Sequence, residues 1–506
     1  MTDNYIERIL KARVYDVANE SPLEAAPRLS RRVGNSVLFK REDLQPVFSF
    51  KLRGAYNKIA HLSDSVAKRG VICASAGNHA QGVALAARRR GIPATIVMPL
   101  TTPNIKVSAV RDLGGEVVLH GDDYDSAYEH ALSIVRERNL AFVHPFDDPD
   151  VIAGQGTIAV EILRQARGDV DAIFVPVGGG GLIAGVALYA KYLNPKIKIV
   201  GVEPVDAAAM FESLRAKKRV TLDRVGIFAD GVAVRRVGEE TFRLCREHVD
   251  EVVLVDTDEI CAGIQDIFED TRSIVEPAGA LGVAGMKKYC AVNEWRDKRV
   301  VTLNSGANMN FDQLRYVAER SDVGQAREAL LAVEIPEKPG SFLHFCEVLG
   351  SRAVTEFNYR FGAKDRAQIF VGFGLARGRE ERDEVIAALK TAGYGVTDMT
   401  DNEIAKLHVR YMVGGHVNGN VANERLYRFE FPERKGALLK FLQSVGTRWN
   451  ITLFHYRNHG SDYGRVLAGI DVPPAEAADF VDHLNVLHYS YSEETNNPVY
   501  RIFLGS

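Results

Sequence analysis

One lysine near the start of this chain of 506 residues has the surroundings of a nucleophile. Lys51 follows Phe50, and residues 45–50 have the apolar character of a strand. Apolar residues at helical spacing follow from Leu52 to Leu62, so Lys51 is predicted at a strand-to-helix corner, where α/β proteins bind small molecules. An amine held against an aromatic ring can lose its charge and form a Schiff base with a carbonyl group. Most lysines with such neighbours are only solvated, so the interpretation needs further motifs.

A loop rich in Ser, Gly and Asn follows the apolar run 70–74 and opens a helix predicted over Val83 to Arg88. Unpaired N–H groups at a helix start can receive an anion such as a substrate carboxylate. Taken alone, the segment is more simply an ordinary N-cap. The residues of this loop that we consider for binding are Ser75, Ala76, Gly77, Asn78 and His79.

Four consecutive glycines, Gly178, Gly179, Gly180 and Gly181, separate a predicted buried strand (172–177) from a helix that begins near Leu182. Glycines let a backbone approach a ligand closely with its N–H groups pointing inward, which is what binding a phosphate requires. A turn needs only one or two glycines, so the pattern favours a phosphate site.

The same stretch also matches a dinucleotide fingerprint. Gly179 and Gly181 are followed by Ala184 in the order G-x-G-x-x-A, and Glu203 ends a later predicted strand. A nicotinamide-dependent oxidoreductase is therefore the alternative enzyme, although it gives Lys51 and Asn78 no role.

A hydroxyl and a glycine end the last strand of the predicted α/β region. Ser305 follows the run 300–304 and precedes Gly306. A residue at this edge of a parallel sheet points into the crevice where such sheets bind ligands. Taken alone, Ser-Gly after a strand is more often a turn.

In this order and spacing, the motifs resemble the fold-type II pyridoxal-phosphate enzymes, and most closely the biosynthetic threonine dehydratases. The match runs from Ser49-Phe50-Lys51-Leu52-Arg53-Gly54-Ala55 through the glycine loop and into the C-terminal third. The resemblance implies that Lys51 carries pyridoxal 5′-phosphate as a Schiff base and that Asn78 bonds its phenolic oxygen. It further implies that Gly178 to Gly181, with Leu182, hold the phosphate, that Phe50 lies beside the cofactor and that Ser305 faces the pyridine nitrogen. The loop from Ser75 to His79 would take the substrate carboxylate.

The resemblance implies the dehydration of L-threonine to 2-oxobutanoate and ammonia, the first step of isoleucine biosynthesis, with L-serine giving pyruvate. Serine racemases have a serine where this chain has Ala76, so racemisation should be poor. Those enzymes also bind a divalent cation through Glu-x-x-x-Ala-x-Asp, and Ala209 replaces the aspartate here, so no metal site is expected. A non-catalytic amino-acid sensor is a further alternative.

Composition fits an enzyme of several domains. The net charge is −3 with 25% charged residues, which implies no nucleic-acid or membrane partner. The N-terminus has no basic-then-apolar signal, and the five cysteines lack CxxC spacing, so a reducing, cytoplasmic location is expected.

Strand-like and helical runs alternate from about Val37 to Leu303, which predicts an α/β fold with a mainly parallel sheet. The resemblance divides this region into two α/β subdomains, of which the smaller and mobile one covers about residues 49–146. We expect a catalytic domain over 1–320 and a connecting helix over 321–330, because residues 313–331 have a charged, helical pattern.

Two similar α+β segments then follow. Residues 333–343 match residues 429–439 at an offset of 96, and 355–360 match 452–457 at 97. Each copy is predicted as strand, turn, helix, strand, strand, helix, and they resemble tandem ACT-like modules over 331–425 and 426–506. Such modules bind amino acids, here isoleucine with valine as a possible opposing effector, in a homotetramer; a purely oligomerising role is the alternative. The aromatic residues proposed to line an effector pocket are Phe357, Tyr359, Phe454 and Tyr456.

Overall fold

A computed structural model describes residues 4–361, 366–413, 421, 423–432, 437–445, 448–457, 463–486, 489–500 and 504. The chain separates into two compact units, a first unit over Met1–Ser321 and a second unit over Asp322–Ser506.

The first unit alternates strands and helices throughout. Its strands are β1 (Leu23–Ala25), β2 (Ser36–Arg41), β3 (Val71–Ala74), β4 (Ala94–Met98), β5 (Glu116–Leu119), β6 (Ala141–Phe142), β7 (Ala172–Pro176), β8 (Lys198–Pro204), β9 (Glu251–Val255) and β10 (Arg299–Asn304). Its helices are α1 (Tyr5–Leu10), α2 (Pro27–Val33), α3 (Lys51–Ala60), α4 (Asp64–Ala67), α5 (Asn78–Arg90), α6 (Asn104–Asp112), α7 (Tyr124–Arg138), α8 (Pro149–Gln165), α9 (Gly181–Leu193), α10 (Ala209–Ala216), α11 (Glu239–His248), α12 (Thr257–Thr271) and α13 (Pro277–Val292). Helix α14 (Gln313–Gly324) begins in the first unit and ends in the second.

The larger sheet has the strand order β1-β2-β10-β7-β8-β9 and is parallel except for β1. Both of its faces are covered: along β7, Ile173 and Val175 belong to one hydrophobic cluster, whereas Ala172 and Phe174 belong to another. A strand buried on both faces has to be apolar throughout, which is why its sequence is a continuous apolar run. The α/β prediction with a mainly parallel sheet is confirmed.

The smaller sheet has the order β5-β4-β3-β6, and all of its pairs are parallel. Along β3, Val71 and Cys73 pack on one face while Ile72 and Ala74 pack on the other. This sheet lies within the range 49–146 that the resemblance assigned to a smaller subdomain.

The segment before Lys51 differs from the sequence prediction. Residues 45–50 form no strand; only Ser49 makes an isolated antiparallel bridge, to Gly306. Phe48 has a positive φ of 53°, and its N–H donates to the Gln45 carbonyl in a turn. The side chain of Gln45 is buried and exchanges two hydrogen bonds with the backbone of Asn19, so a distant loop determines the course of this segment.

A buried ionic network fixes helix α3, which begins at Lys51. The guanidinium of Arg53 bonds both carboxylate oxygens of Glu42 at 2.8 Å and those of Glu161 at 2.6 and 3.0 Å. Lys40 lies 2.6 Å from Glu161, and all four side chains are fully buried. Burial opposes the charge of Arg53, but the two carboxylates outweigh it and raise the pKa of the guanidinium. The network ties α3 to β2, to the 3-10 turn Glu42–Leu44 and to α8.

The second unit is built on an antiparallel sheet. Its strands are β11 (Glu328–Pro336), β12 (Val354–Arg360), β13 (Arg366–Gly374), β14 (Gly395–Asp398), β15 (Glu424–Pro432), β16 (Asn450–Arg457), β17 (Tyr463–Asp471) and β18 (Ser490–Glu493). Its helices are α15 (Ser341–Leu349), α16 (Arg379–Thr391), α17 (Glu403–Leu407), α18 (Ala437–Val445) and α19 (Ala477–Val486).

The predicted internal repeat corresponds to two halves of one eight-stranded sheet, in the order β14-β11-β13-β12-β16-β17-β15-β18. Each half runs strand, helix, strand, strand, helix, strand, so the sequence pattern missed the last strand of each copy. The halves join through β12 and β16, where Phe357 faces Tyr456 and Tyr359 faces Phe454. Phe454 is the repeat equivalent of Phe357, and Tyr456 is that of Tyr359. The pairing is therefore crossed, as in a pseudo-two-fold relation. Residues 433–436, part of the repeated segment, lie outside the described residues.

The connecting helix is shorter than the sequence predicted. The helical pattern of residues 313–331 suggested one helix, but α14 ends at Gly324 and β11 begins at Glu328. Leu330 and Leu331 are fully buried because β11 pairs with both β13 and β14, so sheet packing outweighs the local helical preference.

The five cysteines, all within the described ranges, are buried, and none of them is part of a disulfide bond. None of the helices in the described ranges combines the length and the hydropathy that a membrane-spanning helix requires.

The buried network makes a testable prediction about stability. Arg53→Ala leaves two buried carboxylates with Lys40 as the nearby cation, and removing one partner of a buried ion pair typically costs about 3–5 kcal/mol. Urea unfolding should show this loss as a lower free energy of unfolding for the first unit. Arg13→Ala, which removes an exposed pair with Asp16, is the control and should change little. Equal effects of the two substitutions would contradict the structural role of Arg53.

Candidate active site

Lys51 is the first residue of α3, and its Nζ donates to the carbonyl oxygen of Gly231 at 3.1 Å. Its side chain is half-buried. Burial lowers the pKa of Lys51, while the negative charges of Glu276 and Asp230 oppose that shift. A lysine with a lowered pKa is more readily a neutral nucleophile.

The glycine loop lies between β7 and α9, and its surroundings exclude side chains. Gly180 has a φ of +97°, and a Cβ there would lie 2.7 Å from Met210 Cε and 2.9 Å from Thr241 Cβ. A Cβ on Gly179 would lie 2.2 Å from both Cγ and Cδ1 of the Phe146 ring. Both positive φ and close packing therefore require glycine here.

The same loop presents unclaimed donors. Within the described residues, no backbone hydrogen bond occupies the amide nitrogens of the five residues from Gly178 to Leu182. The N–H groups of a helix N-terminus and the glycines before it suit a phosphate. The residues present thus fit the phosphate of pyridoxal phosphate.

The second loop starts α5 earlier than predicted, at Asn78 instead of near Val83. Asn78 Nδ2 donates to Glu276 Oε1 at 2.7 Å, and Ser75 Oγ accepts from the N–H of Gly77 at 3.2 Å. The ring of buried His79 donates through Nε2 to the Val143 carbonyl at 2.9 Å, and burial lowers its pKa to about 3. His79 is therefore neutral, and it contributes its position to the loop, not a charge.

Ser305 follows β10, which lies beside β7 in the parallel sheet, so Ser305 and Gly178 are at the same edge. Its Oγ donates to the Ala278 carbonyl at 3.3 Å, and its own carbonyl accepts from Phe50 N–H at 3.2 Å. The ring of Phe50 packs against the hydrophobic cluster of α8 and α9.

A short turn, Asp230–Val232, connects the lysine to the glycine loop. Gly231 accepts from Lys51, and a Cβ on Gly178 would lie 3.0 Å from Val232 Cα. The structure therefore gathers Lys51, Asn78, Ser305 and the glycine loop around one site.

Sequence reasoning missed two residues of this site, Glu276 and Asn308. Glu276 is 3% exposed at the start of α13, and burial raises its pKa to about 7. Asn308 Nδ2 lies 2.7 Å from Asn78 Oδ1. No spacing rule marks Glu276. Asn308 lies in the segment Ser305-Gly306-Ala307-Asn308, whose serine is a predicted site residue.

Glu203, the acidic residue of the dinucleotide fingerprint, is not available to bind a dinucleotide. Glu203 is fully buried, and its two carboxylate oxygens accept from the N–H groups of Met210 and Phe211, each at 2.8 Å. The carboxylate thus caps α10 and is not free to bond a ribose.

The second unit contains a cavity of about 490 Å³ on the sheet face below α17. Phe370, Met399 and Ile404 give it an apolar lining, beside the polar side chains of Asn358 and Gln368. Asn358 Oδ1 is buried without a hydrogen-bond partner in the described part of the chain.

The four aromatic residues predicted to line an effector pocket lie in the hydrophobic core of the second unit. Phe357 and Phe454 meet edge to face with ring centroids 5.6 Å apart, and both are fully buried. Of the four, Tyr359 also borders the cavity, and its hydroxyl donates to Glu337 at 2.5 Å.

Comparison with known families assigns the class of protein. The family described as pyridoxal-phosphate dependent enzyme matches residues 14–306. The C-terminal regulatory domain of threonine dehydratase matches residues 319–409 and again 416–504. The first unit is thus that of a pyridoxal-phosphate-dependent enzyme.

Individual relatives narrow the class. A biosynthetic L-threonine dehydratase of Burkholderia multivorans is 57% identical over 504 residues, 99% of each chain. That of Escherichia coli is 55% identical over 99% of this chain and 97% of its own. The structure of a processed threonine deaminase from Solanum lycopersicum has 53% identity and a TM-score of 0.62 over 63% of this chain and 92% of its own. The chain belongs to the threonine dehydratase family.

The glycine loop makes a prediction about cofactor retention. In Gly180→Val, a β-branched residue resists the positive φ and collides with Met210 and Thr241, so the amides should be displaced from the phosphate. After dialysis, the variant should retain less pyridoxal phosphate than the parent, measured by absorbance of the alkali-released cofactor. Gly91→Val is the control, since Gly91 has a similar φ of 70° but open space around it and lies at the far end of α5. Unchanged occupancy in Gly180→Val would mean that the glycines serve only the turn.

Proposed function

We propose that this chain catalyses the dehydration and deamination of L-threonine to 2-oxobutanoate and ammonia, and of L-serine to pyruvate. The observation that supports it most directly is that half-buried Lys51 and the glycine loop both border the short turn Asp230–Val232. Full-length relatives with the name biosynthetic threonine dehydratase support the substrate class.

Pyridoxal phosphate, when bound, supplies an electron sink for the negative charge that develops at the substrate's Cα. Lys51 would attach the cofactor, Gly178 to Leu182 would hold its phosphate, Ser305 would face its ring nitrogen, and Asn78 would bond its phenolic oxygen. The hydroxyl of Ser305 is neutral, so it would stabilise a protonated ring nitrogen less than a carboxylate would.

Lys51 also has the properties of the base that removes the Cα proton. Its lowered pKa leaves a larger fraction of the amine neutral, and Gly231 O orients Nζ. A general base works best when its pKa is close to the working pH. The loop from Ser75 to His79 would hold the substrate carboxylate with the amides at the start of α5. Position 76, where serine racemases have a serine, is an alanine without a hydroxyl. We therefore propose elimination and not racemisation.

The second unit would regulate the first. We assign residues 1–320 to catalysis and 331–506 to two ACT-like modules, with isoleucine as inhibitor and valine opposing it. The cavity near Asn358 suits such an effector, because an apolar lining takes the side chain and Oδ1 can accept from an ammonium group. Tyr359 would border the effector, while Phe357, Phe454 and Tyr456 would support the strands. A homotetramer and a cytoplasmic location complete the proposal and are carried over from the family resemblance.

Lys51→Ala tests the catalytic assignment. The substitution should abolish formation of 2-oxobutanoate and the borohydride-reducible adduct, because Lys51 would supply both the amine that attaches the cofactor and the base. Lys58→Ala is the matched control in the same helix, where Lys58 pairs with Asp148 at 2.7 Å. Near-normal turnover in Lys51→Ala would refute the assignment.

Titration of the full-length enzyme with isoleucine tests the regulatory assignment. Coupling free energies are typically about 1–3 kcal/mol, so Asn358→Leu and Tyr359→Ala should raise the inhibition midpoint by roughly 5–150-fold with little change in turnover. Asn485→Leu, the same substitution at an exposed position on α19, is the control. If millimolar isoleucine changes neither activity nor cooperativity of the parent, the second unit is an assembly module.

A further inference from the structure

Asn78 is held by a chain of hydrogen bonds that crosses the first unit. Asn308 Nδ2 donates to the backbone carbonyl of Val47 at 2.8 Å and to Asn78 Oδ1 at 2.7 Å. Asn78 Nδ2 in turn donates to Glu276 Oε1 at 2.7 Å. These hydrogen bonds therefore link the segment before Lys51, the segment after Ser305, the start of α5 and the start of α13.

The donor and acceptor roles in this series of hydrogen bonds are fixed by the bond between Asn308 and Val47. A carbonyl oxygen only accepts, so the atom of Asn308 that faces Val47 must be the NH₂ group. The same nitrogen faces Asn78, and an amide nitrogen does not accept, so Asn78 must present its oxygen to Asn308. Its NH₂ group is then on the opposite side, where the carboxylate of Glu276 takes one of its two hydrogens.

Orientation matters because an asparagine amide is nearly symmetric in shape but has opposite chemistry at its two ends. A free asparagine could turn its oxygen to a ligand's phenolate and repel it. Asn78 is 6% exposed, so water does not set its orientation.

We propose that Asn308 is a positioning residue that fixes the amide of Asn78 with its remaining N–H available to the cofactor's phenolic oxygen. This inference rests on the proposed function of Asn78. Asn308 acts through Asn78 and not on the cofactor directly. The anchor on Val47 makes the orientation independent of whether the cofactor is bound.

A double-mutant cycle on cofactor affinity tests the proposal. The dissociation constant of the apoenzyme for pyridoxal phosphate is measured by fluorescence titration for the parent, Asn308→Ala, Asn78→Ala and the double variant. Each single substitution should raise it about tenfold, on the scale of one lost hydrogen bond to a charged or buried group. The double variant should bind no more weakly than Asn78→Ala alone. Additive effects, or an unchanged constant for Asn308→Ala, would overturn the proposal.

Asn308→Asp provides a second test with almost no change in volume. Its carboxylate cannot donate, so Asn78 should turn its NH₂ group toward residue 308 and its oxygen toward the cofactor. Affinity should fall below that of Asn308→Ala, and the visible absorbance band of the bound cofactor should shift. Both effects should vanish in the Asn78→Ala background; parental affinity and band position in Asn308→Asp would contradict the proposal.

Asn35→Ala separates positioning from general stability. Asn35 is likewise buried, and its Nδ2 donates to the carbonyls of Val33 and Trp295, both at 3.0 Å, away from the site. This variant should lose stability but keep the parental dissociation constant. If the parent itself binds no pyridoxal phosphate, the proposed function fails; if Asn78→Ala weakens binding and Asn308→Ala does not, only this inference fails.

Discussion

The guanidinium of Arg53 is the constraint on which the arrangement of the first unit depends. It lies two residues after Lys51 and is fully buried between the carboxylates of Glu42 and Glu161. A buried cation can be accommodated only if its partners are in place, so α3 has little freedom relative to β2 and α8. Because Lys51 is the first residue of α3, its backbone is held in place together with the helix. The reactive amine is therefore located by a charge that takes no part in the chemistry.

Most of the remaining site consists of backbone. The glycine loop and the start of α5 offer N–H groups, and Gly231 offers the carbonyl that faces Lys51. Such groups are held by secondary structure and need no reorganisation when a ligand binds. The side chains that do contribute, Asn78 and Ser305, are held in turn by buried partners. The site is thus a property of where strands and helices end.

The sequence predicted the parts of this site that depend on local pattern. The strand predicted over 172–177 is observed as β7 (Ala172–Pro176), and the glycine loop and Ser305 were each predicted to follow a strand. Glu276 was missed because its contact with Asn78 joins residues 198 positions apart. The segment before Lys51 was predicted as a strand, because neither the positive φ of Phe48 nor the distant pairing of Gln45 has a local signature. Local patterns thus predict elements and loop chemistry, whereas long-range polar contacts have to be seen in the fold.

One measurement tests most directly whether the chain uses pyridoxal phosphate to dehydrate threonine. Purified full-length protein is mixed with L-threonine while its visible absorbance and the release of 2-oxobutanoate and ammonia are followed together. A visible absorbance band of the bound cofactor is expected, and it should change on addition of threonine while keto acid and ammonia form in equal amounts. A protein with no visible band that binds a nicotinamide dinucleotide and releases no keto acid would contradict it.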